Sequence, residues 1–257
     1  MIAIDQLCYC SRLRYEYGEV KFSYAMLTLL VCVVSRQLPV SLTVLAVNYI
    51  LTVKKGGVPP RRYRHFMAVP LVFLLLSTLA IVVNIGHRPM DLFALPIGSL
   101  YLTGSRAGLA YGANLVLTAL GSVSCLYFLA MTTPMPDILN TLRKLHCPPL
   151  LIELMLLIYR YIFVLLSTAH AIRTSQVSRL GNRDYRRSLR SFGLLGSVLM
   201  IRAVTRSKAL YDSMEARCYD GVIQVLSETH PARKSSVIKI GIFECLLVLI
   251  AIGGTLL

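Results

Sequence analysis

The sequence predicts an all-α integral membrane protein with about five transmembrane helices and a helical cytoplasmic insertion containing two long helices. Three observations predict it. The 257 residues are 56% hydrophobic and only 15% charged, against about 25% charged in soluble domains. Apolar runs close to span length recur along the chain. When those runs are read as spans, 24 of the 27 lysines and arginines fall on one side of the membrane. Cytoplasmic loops keep Lys and Arg because translocating them is costly, so this asymmetry sets the topology and puts the N-terminus inside.

The 24 form three blocks: residues 1–21 (Arg12, Arg14, Lys21), residues 54–65 (Lys54, Lys55, Arg61, Arg62, Arg64) and residues 132–239, with 16. Arg36, Arg88 and Arg106 remain for the far side. The net charge of +15 serves topology and attraction to anionic lipid headgroups, with a share left for partner recognition. No DNA- or RNA-binding motif accompanies it, which argues against nucleic acid as a partner. The seven cysteines (Cys8, Cys10, Cys32, Cys125, Cys147, Cys218, Cys245) are odd in number and scattered. They form no disulfide framework, and a reducing cytoplasmic side keeps most as thiols. The first 21 residues are polar and include Asp5, Glu16 and Glu19. No cleavable signal is visible there, so the first span itself directs insertion.

A membrane domain is expected over 1–131, with spans at about 22–35, 37–53, 66–86 and 107–131. The first two are short against the roughly 20 residues a span needs, and one 32-residue helix is the competing reading. Pro39 opposes it, because proline removes a donor and clashes with the preceding turn. Two spans also keep the Lys54–His65 block inside. A helical hairpin turning at Arg36–Pro39 is the expectation. Residues 87–106 read as a Pro/Gly-rich outer loop. Gly108, Gly112, Ala113 and Ser122 in the next span are small enough to let helices approach closely.

Residues 132–235 read as a cytoplasmic helical insertion. Pro134 and Pro136 open a short helix that Cys147-Pro148-Pro149 ends. About 32 residues from Leu150 follow without proline or internal glycine. Glu153, Arg160, His170, Arg173 and Arg179 oppose a span there, since a mid-bilayer charge costs about 2.5–3.5 kcal/mol. Glu153, Arg160, Ser167 and Thr174 recur every seven residues and so share one helix face. A basic turn is expected over 180–192, then a second long helix over roughly 193–218. Residues 236–257 read as the last span. Glu244 lies within it, as an ion ligand or helix-pairing group, or as a near-interface hydrogen-bonding group.

No phosphate-binding loop GxxxxGK[ST] occurs, nor HExxH, GxSxG or CxxC…CxxC, so the familiar routes to nucleotide, zinc or serine chemistry are missing. His65, His87, His146, His170 and His230 are far apart in sequence. His146-Cys147 and Cys8-x-Cys10 each offer two ligands where a soft metal site needs more. The strongest local pattern is a repeated small-Arg-x tripeptide: Ser178-Arg179-Leu180 ends the first long helix and Ala216-Arg217-Cys218 the second. Nine arginines and Lys208 over 173–217 face only Asp184, Asp212 and Glu215. An arginine at a helix end with small neighbours fits a groove and pairs bidentately with a carboxylate. It also favours the negative end of its own helix dipole, so a purely structural role competes.

These tripeptides resemble the paired Ala-Arg-Gly motifs of the transmembrane T components of energy-coupling-factor (ECF) transporters. Ser178-Arg179-Leu180, preceded by Gln176, resembles the first motif, and Ala216-Arg217-Cys218, within MEARCYDG, resembles the second. The opening Ile4-Asp5-Gln6-Leu7-Cys8-Tyr9-Cys10-Ser11-Arg12-Leu13-Arg14 is similar to the start of the cobalt-specific branch, CbiQ. The resemblance implies a non-catalytic scaffold of a cobalt importer in a bacterial plasma membrane, N-terminus cytoplasmic and C-terminus outside. It implies two crossed coupling helices whose Arg179 and Arg217, with Ser178, Leu180, Ala216 and Cys218 beside them, dock into two cytoplasmic CbiO-like ATPases. Those partners bind ATP and Mg, so this chain needs no cofactor of its own. A CbiM-like membrane subunit, with a CbiN-like small protein, binds the substrate. Departures are Ser178 for Ala, and Leu180 and Cys218 for Gly. Leu180 adds bulk, and Gly181 offers flexibility one residue later. Nickel and vitamin importers share the architecture. A stand-alone channel or secondary transporter calls for polar residues inside several spans or paired broken helices. A lipid enzyme calls for a converging His/Asp/Glu cluster, which is not seen.

Overall fold

The computed structural model describes residues 3–86, 93–97, 100–104, 106–221 and 234–256. Arg88, assigned above to the far side, and residues 222–233, assigned to the end of the insertion, lie outside these. Helix α1 (Ala3–Cys10) leads through a 3-10 turn (Arg12–Tyr15) into α2 (Gly18–Ser35). Arg36 then adopts a left-handed conformation, φ 46°, and Gln37 is extended. Pro39 falls in the first turn of α3 (Leu38–Tyr49), where a missing N–H costs nothing. Tyr24 meets Asn48 and Cys32 meets Ser41, so α2 and α3 form an antiparallel hairpin reversing at Arg36–Gln37. A π-helical turn, Ile50–Lys55, extends α3.

Helix α4 (Pro60–Val82) opens on a proline and carries the basic residues of 61–64 in its first turns. It ends earlier than the apolar run to Gly86. Val83–Gly86 forms β1, which with β2 (Phe93–Ile97) and β3 (Leu100–Gly104) makes an antiparallel sheet of order β1-β3-β2. Val83 and Phe93 both lie opposite Gly104. Within β1, the β-branched Val83 and Ile85, with Asn84 and Gly86 beside them, favour strand over helix. A small sheet thus occupies part of the expected outer loop. The remainder is helical: α5 (Arg106–Thr132), α6 (Met135–Lys144), α7 (Pro149–Ser178), α8 (Tyr185–Glu215) and α9 (Lys234–Leu256).

Among the described residues, six stretches are long and apolar enough to cross a membrane: 18–35, 38–55, 60–80, 108–132, 149–178 and 185–215. In α9 the apolar stretch Ile240–Gly253 is shorter. Apart from that small sheet the described chain is α-helical, and it is a multi-pass membrane protein. Length and composition alone do not separate α7 and α8 from the spans.

Two compact units divide the chain: 2–138 with 228–257, and 139–227. In the first, α5 is the central helix, packed by α1, α2, α3 and α4. Gly121 makes this possible, since a Cβ there would meet Cys32 Sγ at 3.0 Å and the Ser41 carbonyl at 3.4 Å. Gly112 faces Val82 and Thr78 of α4. Asn48 is fully buried at the α2–α3–α5 junction. It accepts from Tyr24 Oη at 2.9 Å and donates to Ser124 Oγ at 3.0 Å and Cys125 Sγ at 3.2 Å. Satisfying such a polar group inside a bundle fixes the register of three helices at once. Glu244, in α9, has both carboxylate oxygens buried without a hydrogen-bond partner among the described residues.

In the second unit α7 and α8 are joined by 179–184. The basic stretch expected to be a turn is largely helix: α8 starts at Tyr185, eight residues before the expected start. Asp184 sits at the N-cap position and pairs with Arg187 at 3.5 Å. Its negative charge suits a helix N-terminus, and Leu and Arg are good helix formers, so the turn shrinks to a few residues.

Candidate docking site at two matched helix ends

The two small-Arg-x tripeptides fold identically. After α7, Leu180 is left-handed at φ 58°; after α8, Cys218 is left-handed at φ 56°. At the α7 end the Leu180 N–H donates to the Val177 carbonyl at 3.0 Å and the Gly181 N–H to the Gln176 carbonyl at 2.8 Å. At the α8 end the Cys218 N–H donates to Glu215 at 2.9 Å and the Tyr219 N–H to Met214 at 3.1 Å. Both are Schellman closures, which satisfy carbonyls a helix end would orphan. In each, the arginine is the last residue before the left-handed one. Arg179 and Arg217 are exposed, as are Ser178, Leu180, Ala216 and Cys218.

Glycine is the preferred residue at a left-handed closing position because it has no Cβ to clash. Leu180 and Cys218 therefore bear backbone strain that glycine would avoid. Gly181 does not supply the left-handed turn. It supplies space, since a Cβ there would lie 2.8 Å from both the Gln176 carbonyl and Ser191 Oγ. Helix α6 closes in the same way, with His146 left-handed at φ 61°. The residue before it is Leu145. The closure is therefore a general device of this chain, and the arginine is what sets the two long-helix ends apart.

Hydrogen bonds tie α7 and α8 at both ends. At one, Gln176 Nε2 donates to the Ser191 carbonyl at 2.9 Å and Ser191 Oγ to the Gly181 carbonyl at 2.9 Å. At the other, Tyr219 Oη donates to Glu153 Oε2 at 2.6 Å. The helices are thus antiparallel, and Arg179 and Arg217 stand at opposite ends of the pair. Thirty residues of α7 separate those ends by about 45 Å. The bond to Glu153, which holds the Tyr219 proton, raises that phenol above its ordinary value. Sequence spacing placed Glu153 on a face with Arg160. Its pairing with Tyr219 was not readable, because the two are 66 residues apart.

The N-terminal string closes the base of the membrane unit. Ser11 Oγ donates to the Gly56 carbonyl at 3.0 Å, and the Arg12 N–H reaches the same carbonyl at 3.2 Å. Buried Lys21 donates to the Leu13 and Thr132 carbonyls, both at 3.0 Å. Arg14 lies 4.9 Å from the Tyr9 ring centre. Cys8 is buried and Cys10 exposed, and burial pushes the Cys8 thiol up to about 12. Among the described residues, no three His, Cys, Asp or Glu side chains gather as metal ligands.

The result is a multi-pass helical membrane protein with a long antiparallel helix pair and an exposed arginine at each far end. The chain belongs to the CbiQ family of cobalt transport proteins, whose model matches residues 13–230. It is 34% identical over 200 residues to the cobalt transport protein CbiQ of Rhodobacter capsulatus, covering 78% of this chain and 76% of the relative. An uncharacterised protein of Methanocaldococcus jannaschii is 32% identical over 248 residues, 96% of this chain and 92% of its own length. A putative fused cobalt transport protein CbiMQ of Methanocorpusculum labreanum is 29% identical over 246 residues, 95% of this chain and 41% of its own length.

Proposed function

We propose that the chain is the T component of an ECF-type importer for cobalt, a non-catalytic scaffold between cytoplasmic ATPases and a substrate-binding membrane subunit. The observation that carries this reading is the matched pair of helix ends. Two identical closures present Arg179 and Arg217 about 45 Å apart, a spacing suited to two separate ATPase subunits, each offering a carboxylate-lined groove. The α7–α8 pair is cytoplasmic in this reading. Arg160 and Arg173 are exposed on α7, and Arg186, Arg187, Arg190, Arg202, Arg206 and Lys208 on α8. Placing them in lipid would cost about 2.5–3.5 kcal/mol for each mid-bilayer charge.

The fused relative, whose name joins CbiM to CbiQ, supports a CbiM-like membrane partner. Cobalt as substrate draws support from the family description and the Rhodobacter relative's name. The N-terminal string loses weight as a cobalt signal, because its side chains serve the packing of α1 against the π-helical turn. Nickel stays the nearest alternative.

The test expresses the chain with a candidate ATPase and CbiM-like subunit and measures cobalt uptake and co-purification. Arg179→Glu with Arg217→Glu is expected to abolish uptake and co-purification of the ATPase while the CbiM-like subunit still co-purifies. Full uptake by the double variant, or uptake by this chain alone in vesicles, removes the scaffold reading.

A further inference from the structure

Helix α9 packs on α2 and α3. The Phe243 ring lies 5.8 Å from the Tyr24 ring, centre to centre, and Leu247, one turn further along, is fully buried. Glu244 sits between them on the helix surface, within the apolar stretch Ile240–Gly253. Both of its carboxylate oxygens are buried, and neither has a hydrogen-bond partner among the described residues. The donors that neighbouring helices bring to this level are already engaged. On α2, Tyr24 Oη donates to Asn48 Oδ1 at 2.9 Å and Thr28 Oγ1 to the Tyr24 carbonyl at 2.7 Å. On α3, the Asn48 amide donates to Ser124 and Cys125 of α5. Among the described residues, the titratable side chains close to Glu244 are Tyr24 and Cys125, neither of which is a cation. Lys21, one turn from Tyr24, donates instead to the Leu13 and Thr132 carbonyls at 3.0 Å each. Cys245, beside Glu244 on α9, is exposed.

An ionised carboxylate withdrawn from water needs a counter-charge or hydrogen bonds, and without them the group neutralises. Carboxyls inside a membrane domain are rare for this reason and mark sites of function. We propose that Glu244 is a proton-binding site, its side chain held as the neutral carboxylic acid between α9 and α2. The bound proton gives the side chain a donor, which can reach the main-chain carbonyl one turn back along α9, as the Thr28 hydroxyl does on α2. A groove of about 260 Å³ supplies the route by which the proton arrives. Half-exposed Glu16 and Lys55 stand at its rim, and Tyr24, Ile240 and Phe243 line its depth. Ile240 is one turn before Glu244 and Phe243 adjoins it, so solvent in the groove comes within about one helical turn of the carboxyl.

Infrared spectra of the protein in phosphatidylcholine vesicles at pH 7 test this, because exposed carboxyls are ionised there and a protonated one has its own carbonyl stretch. The parent is expected to show such a band. Glu244→Gln and Glu244→Met are each expected to lose it while unfolding at the parent's temperature. Glutamate carrying carbon-13 in its side-chain carboxyl should shift the parent's band, which assigns it to a glutamate without any substitution. On transfer to heavy water the band is expected to move, as the groove lets the proton exchange. A parent spectrum without the band overturns the proposal. So does a band that ignores the glutamate label, or one that persists in the folded variants, since it then belongs to another carboxyl. Loss of ionised-carboxylate absorption in the variants overturns it as well, because Glu244 would then hold a cation in place of a proton. A band that stays fixed in heavy water removes the groove as the route.

Discussion

Leu180 and Cys218 share one backbone conformation, φ 58° and 56°, each one residue past an exposed arginine at the end of a long helix. A left-handed residue with a Cβ is strained by roughly 1–2 kcal/mol, which glycine avoids, though glycine also gives up more entropy on folding. Leu180→Gly and Cys218→Gly are each expected to raise stability by about 0.5–1 kcal/mol, read from thermal unfolding in detergent. Leu180→Val is expected to lower it, because a β-branched residue fits that conformation worst. Glycine variants that melt lower would show that the side chains, and not the backbone, set these ends.

The Tyr219–Glu153 bond holds the far end of the α7–α8 pair. Tyr219→Phe removes the donor and leaves a buried carboxylate short of one partner. The unfolding midpoint is expected to fall by a few degrees. The phenol is raised above its ordinary value near 10. Its contribution is thus complete below pH 10 and lost as pH rises through the folded-state value. Unfolding followed against pH should show this alkaline loss in the parent chain and lack it in the variant.

Cys8 and Cys10 separate by reactivity. The buried Cys8 thiol, pushed from about 9 up to about 12, stays protonated and covered at pH 8.5, while Cys10 is exposed. The thiolate is the reactive form. Iodoacetamide is expected to label Cys10 and spare Cys8 in the folded protein, and to label both after denaturation, as read by peptide mass spectrometry. By the same shift, Cys8 stabilises the fold below pH 9 and loses that contribution between about 9 and 12. Rapid native-state labelling of Cys8 would mean that α1 is not seated against the bundle.

The hairpin reversal was readable because Pro39 and the basic block at 54–65 independently demand two helices. The long helices were readable from their unbroken runs. The sheet was not, since Val83–Gly86 continues an apolar run and only its β-branched residues mark the change. Nor was the α8 start, where one acidic residue outweighed a dense run of arginines. The sequence singled out Arg179 and Arg217 but not the geometry that equates them, because leucine and cysteine carry no signal for a left-handed turn. Gly121 and Asn48 were missed for another reason. Their importance lies in contacts with other helices, most of them more than 70 residues away, and nothing local distinguishes them.

Asn48 gives the membrane unit its sharpest stability test. Interhelical hydrogen bonds in membranes average about 0.6 kcal/mol, and three meet at this side chain. Asn48→Ala is expected to cost about 2 kcal/mol, and Tyr24→Phe about a third of that. The pair should couple in a double-mutant cycle, because they share one bond. Additive losses would remove the hydrogen bond from the account of how α2 and α3 stay in register.

Arg179 and Arg217 lie at opposite ends of one antiparallel pair, about 45 Å apart, so in the proposed scaffold each is expected to meet its own ATPase subunit. This makes stoichiometry the decisive readout. The parent chain is expected to bind two ATPase subunits, either single glutamate variant one, and the double variant none, as measured by native mass spectrometry of the purified assembly. If each arginine pairs with an ATPase carboxylate as proposed, charge reversal puts like-charge repulsion in that place, so each loss should exceed tenfold in affinity. Arg179→Lys and Arg217→Lys keep the charge but lose the planar fork, and should weaken binding without changing the count. A single variant that sheds both ATPases, or neither, would mean that the two ends do not act as separate docking points.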